Sequence, residues 1–321
     1  MEKNIKSPLI ISNKMRARIS AVIVAIVKYV VLISIGYLVI YPLIYMLSFA
    51  FRPREDMVDP GVIWIPKGFS LGYLKNADKA IGFADAIKNS LLFEIVSAII
   101  EVMTCAVAAY GMARFKFRGK KILTVLLFLI IILPDQMLIV PKMMNYSNLD
   151  FLGIIKLINS LGANIKISIL DTGLAFWLPS LFGVGLKSGM IIFIYMQFFK
   201  GLPRELEEAA WIDGATLSQT YLKIALPSSS VVFTTVIILS VIWHWNDYYL
   251  AAMYTNANFP FAVKLAQIST NLQLQGIWGG DPAHRCICCI ASLIFVLPVM
   301  VMYIILQRKF VQSIDRVGIT G

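Results

Sequence analysis

The sequence predicts an all-α integral membrane protein with six transmembrane helices and both termini in the cytoplasm. Of its 321 residues, 59% are hydrophobic and only 15% are charged, whereas about a quarter of a soluble domain is charged. The apolar residues form long runs, and a helix needs about 20 residues to cross a bilayer. The net charge of +11 lies mainly between these runs, which is typical of membrane topology rather than of a surface that binds nucleic acid.

Residues 1–87 are predicted to form an N-terminal tail, a first transmembrane helix and an external loop. The tail is basic, and the apolar run at 20–51 that follows it is broken only by Lys28. A signal-peptide core is shorter, about 7–15 residues, and a small-residue cleavage site follows it. We therefore expect an uncleaved helix with its N-terminus inside. The loop at 52–87 carries balanced charge.

Residues 88–307 are predicted to form a core of five further transmembrane helices, followed by a cytoplasmic tail at 308–321. The loop at 114–121 carries five positive charges in eight residues, so the positive-inside rule places it in the cytoplasm. Alternation of sides then places residues 202–227 in the cytoplasm too. The loop at 147–173 has no predicted role. The expected helices lie at about 89–113, 122–146, 174–199, 228–254 and 285–306.

The polar segment at 202–227 is predicted to form two short helices joined by a bend. Its carboxylates cluster early, near the positive end of the first helix, and Gly214 can adopt the left-handed conformation that ends a helix. Thr216 and Gln219 form a capping-box pattern for the second helix, which Pro227 should end. An acid-rich cytoplasmic loop departs from the local charge pattern. A docking surface for a cytoplasmic partner and a solvated hairpin at the membrane surface explain it equally well.

One sequence pattern in this segment resembles the EAA loop of bacterial ABC-importer permeases. Glu208-Ala209-Ala210 is followed by Asp213-Gly214 and, after nine residues, by Ile224-x-Leu226-Pro227. Other stretches are similar to the carbohydrate-uptake branch of that family, which includes the maltose permeases. They are Asn89-Ser90-Leu91, the AAYGMARF sequence at 108–115, Phe117-Arg118-Gly119-Lys120 and Trp245-Asn246-Asp247. The C-terminal tail departs from many relatives, because it keeps glycines but lacks a lysine near its end.

The resemblance implies a permease subunit in a bacterial cell membrane that translocates a sugar or oligosaccharide delivered by an extracytoplasmic binding protein. It implies a second related permease and two cytoplasmic ATPase subunits or domains as partners. ATP and Mg²⁺ would sit on those ATPases, so this chain would bind no cofactor and would not itself be an enzyme. The segment at 202–227 would be the coupling-helix loop between helices 4 and 5. The residues implied to couple to the ATPase are Glu207, Glu208, Ala209, Ala210, Asp213, Gly214, Ile224, Leu226 and Pro227.

Candidate residues of a translocation pathway lie in the second, fourth and fifth predicted helices. Glu94 and Glu101 are seven residues apart and share one helix face, and charged groups in hydrocarbon should face the bundle interior or water. Hydrogen bonding between helices is the alternative, and Lys187 is a hypothetical partner for Glu101. Near Trp245, aromatic rings and polar groups suit a sugar, although an interfacial aromatic belt gives the same pattern. The candidates are Glu101, Lys187, Trp245, Asn246 and Asp247.

Several rival functions follow from the same residues. A permease for a non-sugar solute remains open, as does a proton-coupled secondary transporter that uses Glu94 and Glu101. The cysteines and His284 near the last helix lack the paired spacing of zinc sites, so no metal site is predicted. Residues 183–188 lack the spacing of a phosphate-binding loop. We find no nucleophile and base pairing that would indicate a membrane-embedded enzyme.

Overall fold

The computed structural model describes residues 8–150, 153–161 and 165–318, and this part of the chain is helical without β-strands. Lys3 and Lys6 of the basic tail and the last three residues lie outside the described residues. The N-terminal half contains helices α1 (Pro8–Ala50), α2 (Arg54–Val58), α3 (Leu74–Ile81), α4 (Phe83–Arg114), α5 (Lys120–Ile132), α6 (Asp135–Ser147) and α7 (Ile154–Ser160). The C-terminal half contains α8 (Leu174–Leu181), α9 (Ser188–Gly201), α10 (Glu205–Ile212), α11 (Leu217–Ser228), α12 (Ser230–Trp245), α13 (Tyr249–Tyr254), α14 (Phe261–Ala266), α15 (Ile268–Leu274) and α16 (Pro282–Gly318).

Helix α1 is long, apolar and largely uncovered by the rest of the chain. Its large apolar side chains from Ile19 to Leu47 are mostly exposed, which is stable only where lipid tails replace water around them. At its C-terminal end, Phe49 and Ala50 join a buried cluster with Cys286 and Ile287 of α16. Helix α1 is therefore attached to the core near one end only.

Helix α4 is the central helix of the bundle and contacts α8, α9 and α12. The face that it turns towards α9 carries small buried side chains, which let two helix backbones approach closely. Within α4, residues Ser90–Ile95 form a wider π-helical turn. The buried small residues are Ala98, Cys105, Ala106 and Ala109.

The described residues contain three helices that are long and apolar enough to cross a membrane, at Arg18–Ala50, Phe83–Arg114 and Pro282–Arg308. Two bent pairs raise the number to five if each pair forms one span: α5 with α6, and α11 with α12. This pattern confirms an all-helical, multi-pass membrane protein. Six crossings and the side on which each terminus lies stay predictions.

Three predicted helices are broken. The one at 228–254 divides into α12 and α13 at residues 246–248, where Asp247 Oδ1 accepts from the Leu250 N–H at the start of α13. Helices α5 and α6 meet at 101°, because the residue before Pro134 is driven out of helical geometry and Leu133 is extended. The predicted helix at 174–199 divides into α8 and α9, with Gly183 and Lys187 in left-handed backbone between them. Glycine adopts that conformation readily, whereas lysine does so rarely.

Candidate coupling segment and buried polar centre

The coupling segment, residues 202–227, folds locally much as its sequence predicts. Gly214 has a φ of +80°, the left-handed conformation that favours glycine, and it separates α10 from α11. The capping box is present, because Gln219 N–H donates to Thr216 Oγ1 (3.3 Å) and Thr216 N–H donates to Gln219 Oε1 (2.8 Å). One detail differs, because α11 continues past Pro227 to Ser228 before bending by 76° into α12.

Glu207 attaches the coupling segment to the central helix. Its Oε1 accepts hydrogen bonds from Arg114 Nε (2.9 Å) and from Tyr110 Oη (3.1 Å), both on α4. Arg114 Nη2 also donates to the carbonyl of Leu202 (2.8 Å). The Arg114 and Glu207 side chains are only 6% and 4% exposed. Loss of one partner would leave the other charge buried and uncompensated, which is strongly destabilising.

The remaining coupling residues divide into an outer and an inner set. Glu208, Ala209, Asp213 and Pro227 are exposed, Ala210 is buried, and Ile224 and Leu226 are half-buried. Beside the exposed carboxylates, large apolar side chains also reach solvent, and Ile212 is 86% exposed. A contiguous exposed apolar patch rimmed by polar groups marks an interaction surface. The apolar side chains are Leu206, Trp211, Ile212 and Leu217.

A buried polar centre joins α4, α9 and α12 through Glu101. Ser188 Oγ donates to Glu101 Oε1, and His244 Nε2 lies 3.0 Å from Glu101 Oε2. His244 Nδ1 lies 3.0 Å from the carbonyl of Ser240. Because a carbonyl oxygen only accepts, Nδ1 carries the hydrogen of this contact, and Nε2 faces Glu101. Glu101 thus cross-links three helices inside the bundle.

The proposed pairing of Lys187 with Glu101 is wrong. Lys187 Nζ lies 2.8 Å from Asp135 Oδ2, while Glu101 faces Ser188 and His244. The left-handed backbone at Lys187, with φ +61°, separates α8 from α9. The lysine side chain therefore reaches the first turn of α6 instead of α4.

Two hollows surround the Lys187–Asp135 ion pair, with volumes of about 500 and 600 Å³. Asn246 and Asp247 line the smaller one, and Trp243 lines both. Trp245 lines neither hollow, since its indole stacks on Phe295 and donates to the Phe295 carbonyl (3.0 Å). Three of the five pathway candidates, Lys187, Asn246 and Asp247, therefore line the hollows, whereas Glu101 contacts the lining residue Ser188 and Trp245 lies in helix packing.

The comparisons with known proteins agree with the resemblance of the coupling segment. The family described as "Binding-protein-dependent transport system inner membrane component" matches residues 102–316, more than half of the chain. The chain belongs to this family. The permease is accordingly a component of a transport system that depends on a binding protein, and not an enzyme.

Curated relatives of the permease match it over most of its length. The osmoprotective compounds uptake permease GgtD of Synechocystis is 26% identical and covers 89% of both chains. The trehalose transport system permease SugB of Mycobacterium tuberculosis is 27% identical and covers 89% of this chain and 94% of its own. A probable permease for starch degradation products, AmyC of Thermoanaerobacterium thermosulfurigenes, is 25% identical and covers 88% and 92%.

A solved structure shares the fold of the permease. A chain of a bacterial ABC transporter that imports the acidic polysaccharide alginate superposes with a TM-score of 0.68 at 19% identity. The superposition covers 91% of the permease and 98% of that chain. At this identity the likeness establishes the fold alone.

Sequence reasoning missed several residues that the structure places at these sites. Tyr110 and Arg114 lie in the AAYGMARF stretch, where their spacing of four put them on one face of α4 near the coupling segment. His244 is one of only two histidines and lies in an apolar run, which is a usable signal for a buried polar contact. Asp135 and Ser188 carry no comparable signal, because their partners are distant in the chain.

Proposed function

We propose that this chain is a permease subunit of an ATP-driven importer and translocates a sugar or oligosaccharide delivered by an extracytoplasmic binding protein. One observation carries the sugar assignment. Relatives named for trehalose and for starch degradation products align with 88–89% of the chain. The membrane in question is the bacterial inner membrane, in keeping with the family's description.

The proposed arrangement has six crossings with both termini in the cytoplasm. Helices α8 and α9 together form one crossing, in addition to the three long helices, the bent pair of α5 and α6, and α12 with α13, while α11 belongs to the coupling segment. The basic loop at 114–121 and the coupling segment then lie on the same, cytoplasmic side. The fixed contact between Arg114 and Glu207 supports this placement, since it joins these two regions directly.

In this proposal, the coupling segment docks on one of two ATPase subunits, and a second related permease completes the pathway. ATP and Mg²⁺ bind to the ATPases. The exposed carboxylate of Glu208 and the apolar side chains of Trp211 and Ile212 meet the ATPase, while Glu207 faces the permease. Reversing an equilibrium from 1:99 to 99:1 takes about 5.5 kcal/mol of differential binding, and nucleotide binding to the partner provides it.

Movement of the coupling segment reaches the hollows through α4. Glu207 holds the end of α4 at Arg114, and the same helix carries Glu101, which contacts α9 and α12. These two helices carry the walls of the hollows, including Ser188, Trp243 and Lys187 at the start of α9. If α4 moves as a rigid body, it therefore shifts the helices that line the hollows directly, and no further element is needed to transmit the movement.

The test is uptake by the complete importer, purified from its own membranes through a tag on this chain and reconstituted in vesicles. We expect an ATPase, a second permease and a binding protein to co-purify, and uptake of the sugar that stabilises that binding protein to require ATP. Uptake should persist when a protonophore collapses the proton gradient. ATP-independent uptake that stops with the protonophore would instead support proton coupling through Glu94 and Glu101.

A further inference from the structure

We propose that a small recess beside the hollows binds hydroxyl groups of a neutral sugar and disfavours acidic sugars. The inference rests on the proposed function and names the substrate class that this subunit would favour. The recess lies between α4, α6, α8 and α12, is partly open to solvent and has room for about one hydroxyl-sized group. We refer to it as the recess. Its polar lining residues are Glu94, Ser97, Lys142, Ser180, His244 and Asp247.

Glu94 is the observation that points to a ligand. Its side chain is 1% exposed and lines the recess, and neither carboxylate oxygen has a hydrogen-bond partner. A buried polar group without a partner costs free energy, about 1–3 kcal/mol and more when it is charged. A donor that enters the recess would remove this cost. Glu94 lies on the π-helical turn at Ser90–Ile95, and such turns are frequent at functional sites.

The groups around Glu94 are mainly hydrogen-bond acceptors. The Asp247 carboxyl group accepts from the backbone N–H groups of Leu250, at 3.2 Å, and Ala251. Ser97 and Ser180 already donate to backbone carbonyls, at 2.6 and 3.0 Å, so their hydroxyl oxygens are left to accept hydrogen bonds. His244 is engaged by Glu101 and by Ser240. A sugar hydroxyl can supply a hydrogen to these acceptors.

The charge of the recess separates neutral from acidic ligands. Two carboxyl groups, Glu94 and Asp247, face one ammonium group, that of Lys142. The other nearby lysine, Lys187, is held by Asp135 at 2.8 Å. A ligand carboxylate would bring a negative charge and more acceptors into this buried site, where a charge is costly without a full set of partners, and unpaired charges are an effective means of rejecting the wrong ligand.

The position of the cavities sets how the sugar would lie. The smaller hollow shares Leu186, Asp247 and Leu250 with the recess. Trp243 and Tyr248 line this hollow and offer aromatic faces to the apolar faces of a sugar ring. The ring would occupy the hollow while one of its hydroxyl edges reaches Glu94.

The experiment compares ligand binding by the complete importer in lipid nanodiscs, using saturation-transfer NMR. The neutral probes are maltotriose and trehalose, and the acidic probe is digalacturonic acid. We expect the wild-type complex to bind a neutral probe at least about tenfold more tightly than the acidic one, a difference of about 1.4 kcal/mol. The Glu94→Gln and Asp247→Asn variants should lose most of this discrimination, because an amide can donate to a carboxylate.

The matched control is Glu55→Gln, which changes an exposed carboxylate on α2 and should leave discrimination unchanged. Asp247→Asn provides an independent test if Glu94→Gln fails to assemble. Unchanged discrimination in both variants would overturn the inference, and so would equal binding of the two probe classes or no binding of the neutral probes. None of these results alters ATP-driven uptake by the wild type, which decides the proposed function separately.

Discussion

Two neighbouring carboxylates of the coupling segment, Glu207 and Glu208, have different roles. Both precede the two alanines of the motif, and the sequence placed them in one group. In the structure Glu207 is 3% exposed and bound to α4, whereas Glu208 is exposed. The inner carboxylate fixes the segment to its own subunit, and the outer one is free for a partner.

Glu207→Gln should destabilise the protein by about 3–5 kcal/mol, because it leaves the buried Arg114 guanidinium without its counter-charge. Thermal unfolding of the purified chain in detergent measures the effect. The matched change Glu208→Gln should leave the unfolding temperature unchanged and weaken association with the ATPase. Equal unfolding temperatures for the two variants would show that the ion pair does not stabilise the fold.

Asp171 provides a residue-level prediction about pH. Partial burial acts to raise the pKa of its carboxyl group, but hydrogen bonds from the backbone N–H groups of Asn258, Ala257 and Asn256 outweigh it and hold the pKa below its ordinary value of 3.8. A lowered folded-state pKa adds stability above the unfolded-state pKa, and that stability is lost as pH falls through the folded-state value. Asp171→Asn also tolerates the observed φ of +60°.

The difference in unfolding temperature between wild type and Asp171→Asn should thus be largest at neutral pH and shrink below about pH 4. A scan of both proteins from pH 7 to pH 3 measures it. Asp150→Asn, in the same segment between α6 and α8, is the comparison variant. A difference that stays constant across the scan would rule out the ionised carboxylate as its source.

At the scale of elements, the bend between α10 and α11 depends on Gly214. A Cβ at this position would meet no atom within 4 Å, so a substitution acts through backbone strain rather than through collision. Left-handed backbone costs a residue with a Cβ about 1–2 kcal/mol. Gly214→Ala should therefore reorient α10 and weaken association with the ATPase, which pull-down of the complex measures.

Gly201→Ala is the matched control for the bend. Gly201 also has open space around it, but its backbone is not left-handed, so alanine should be tolerated there without loss of ATPase association. Gly214→Asn should be milder than Gly214→Ala, because asparagine adopts left-handed backbone more readily. If the Gly214→Ala variant associates normally with the ATPase, the bend at Gly214 is not needed for coupling.

Elements whose shape is set by neighbouring residues were predictable from the sequence. The capping box of Thr216 with Gln219, the turn at Gly214 and the apolar length of α1 and α16 all depend on local chemistry. Helix breaks were only partly predictable, because Pro134 bends the chain sharply whereas Pro42 and Pro298 lie within continuous helices. The partners of Lys187 and Glu101 depend on how distant helices pack, which local patterns do not contain.

At the scale of the whole molecule, the proposed topology places the loops at 114–121 and 147–173 on opposite sides of the membrane. Lys116 and Lys156 are both exposed, so cysteines at these positions would be accessible from their own side. A membrane-impermeant maleimide should label Lys156→Cys in cells whose outer membrane or cell wall has been made permeable but whose inner membrane is intact. It should label Lys116→Cys only after the inner membrane is permeabilised. Labelling of both positions from outside would contradict the topology.

The sharp turn between α5 and α6 has a consequence for water. The last carbonyl groups of α5 and the first N–H groups of α6 lack partners within their own helices, and the residues around the turn, from Ile130 to Asp135, line the hollows. Backbone that leaves the helical pattern at membrane depth is stable only where protein or water satisfies it. We therefore expect water in the hollows between transport cycles, and a sugar that entered them would replace this water with its hydroxyl groups at the backbone as well as at side chains.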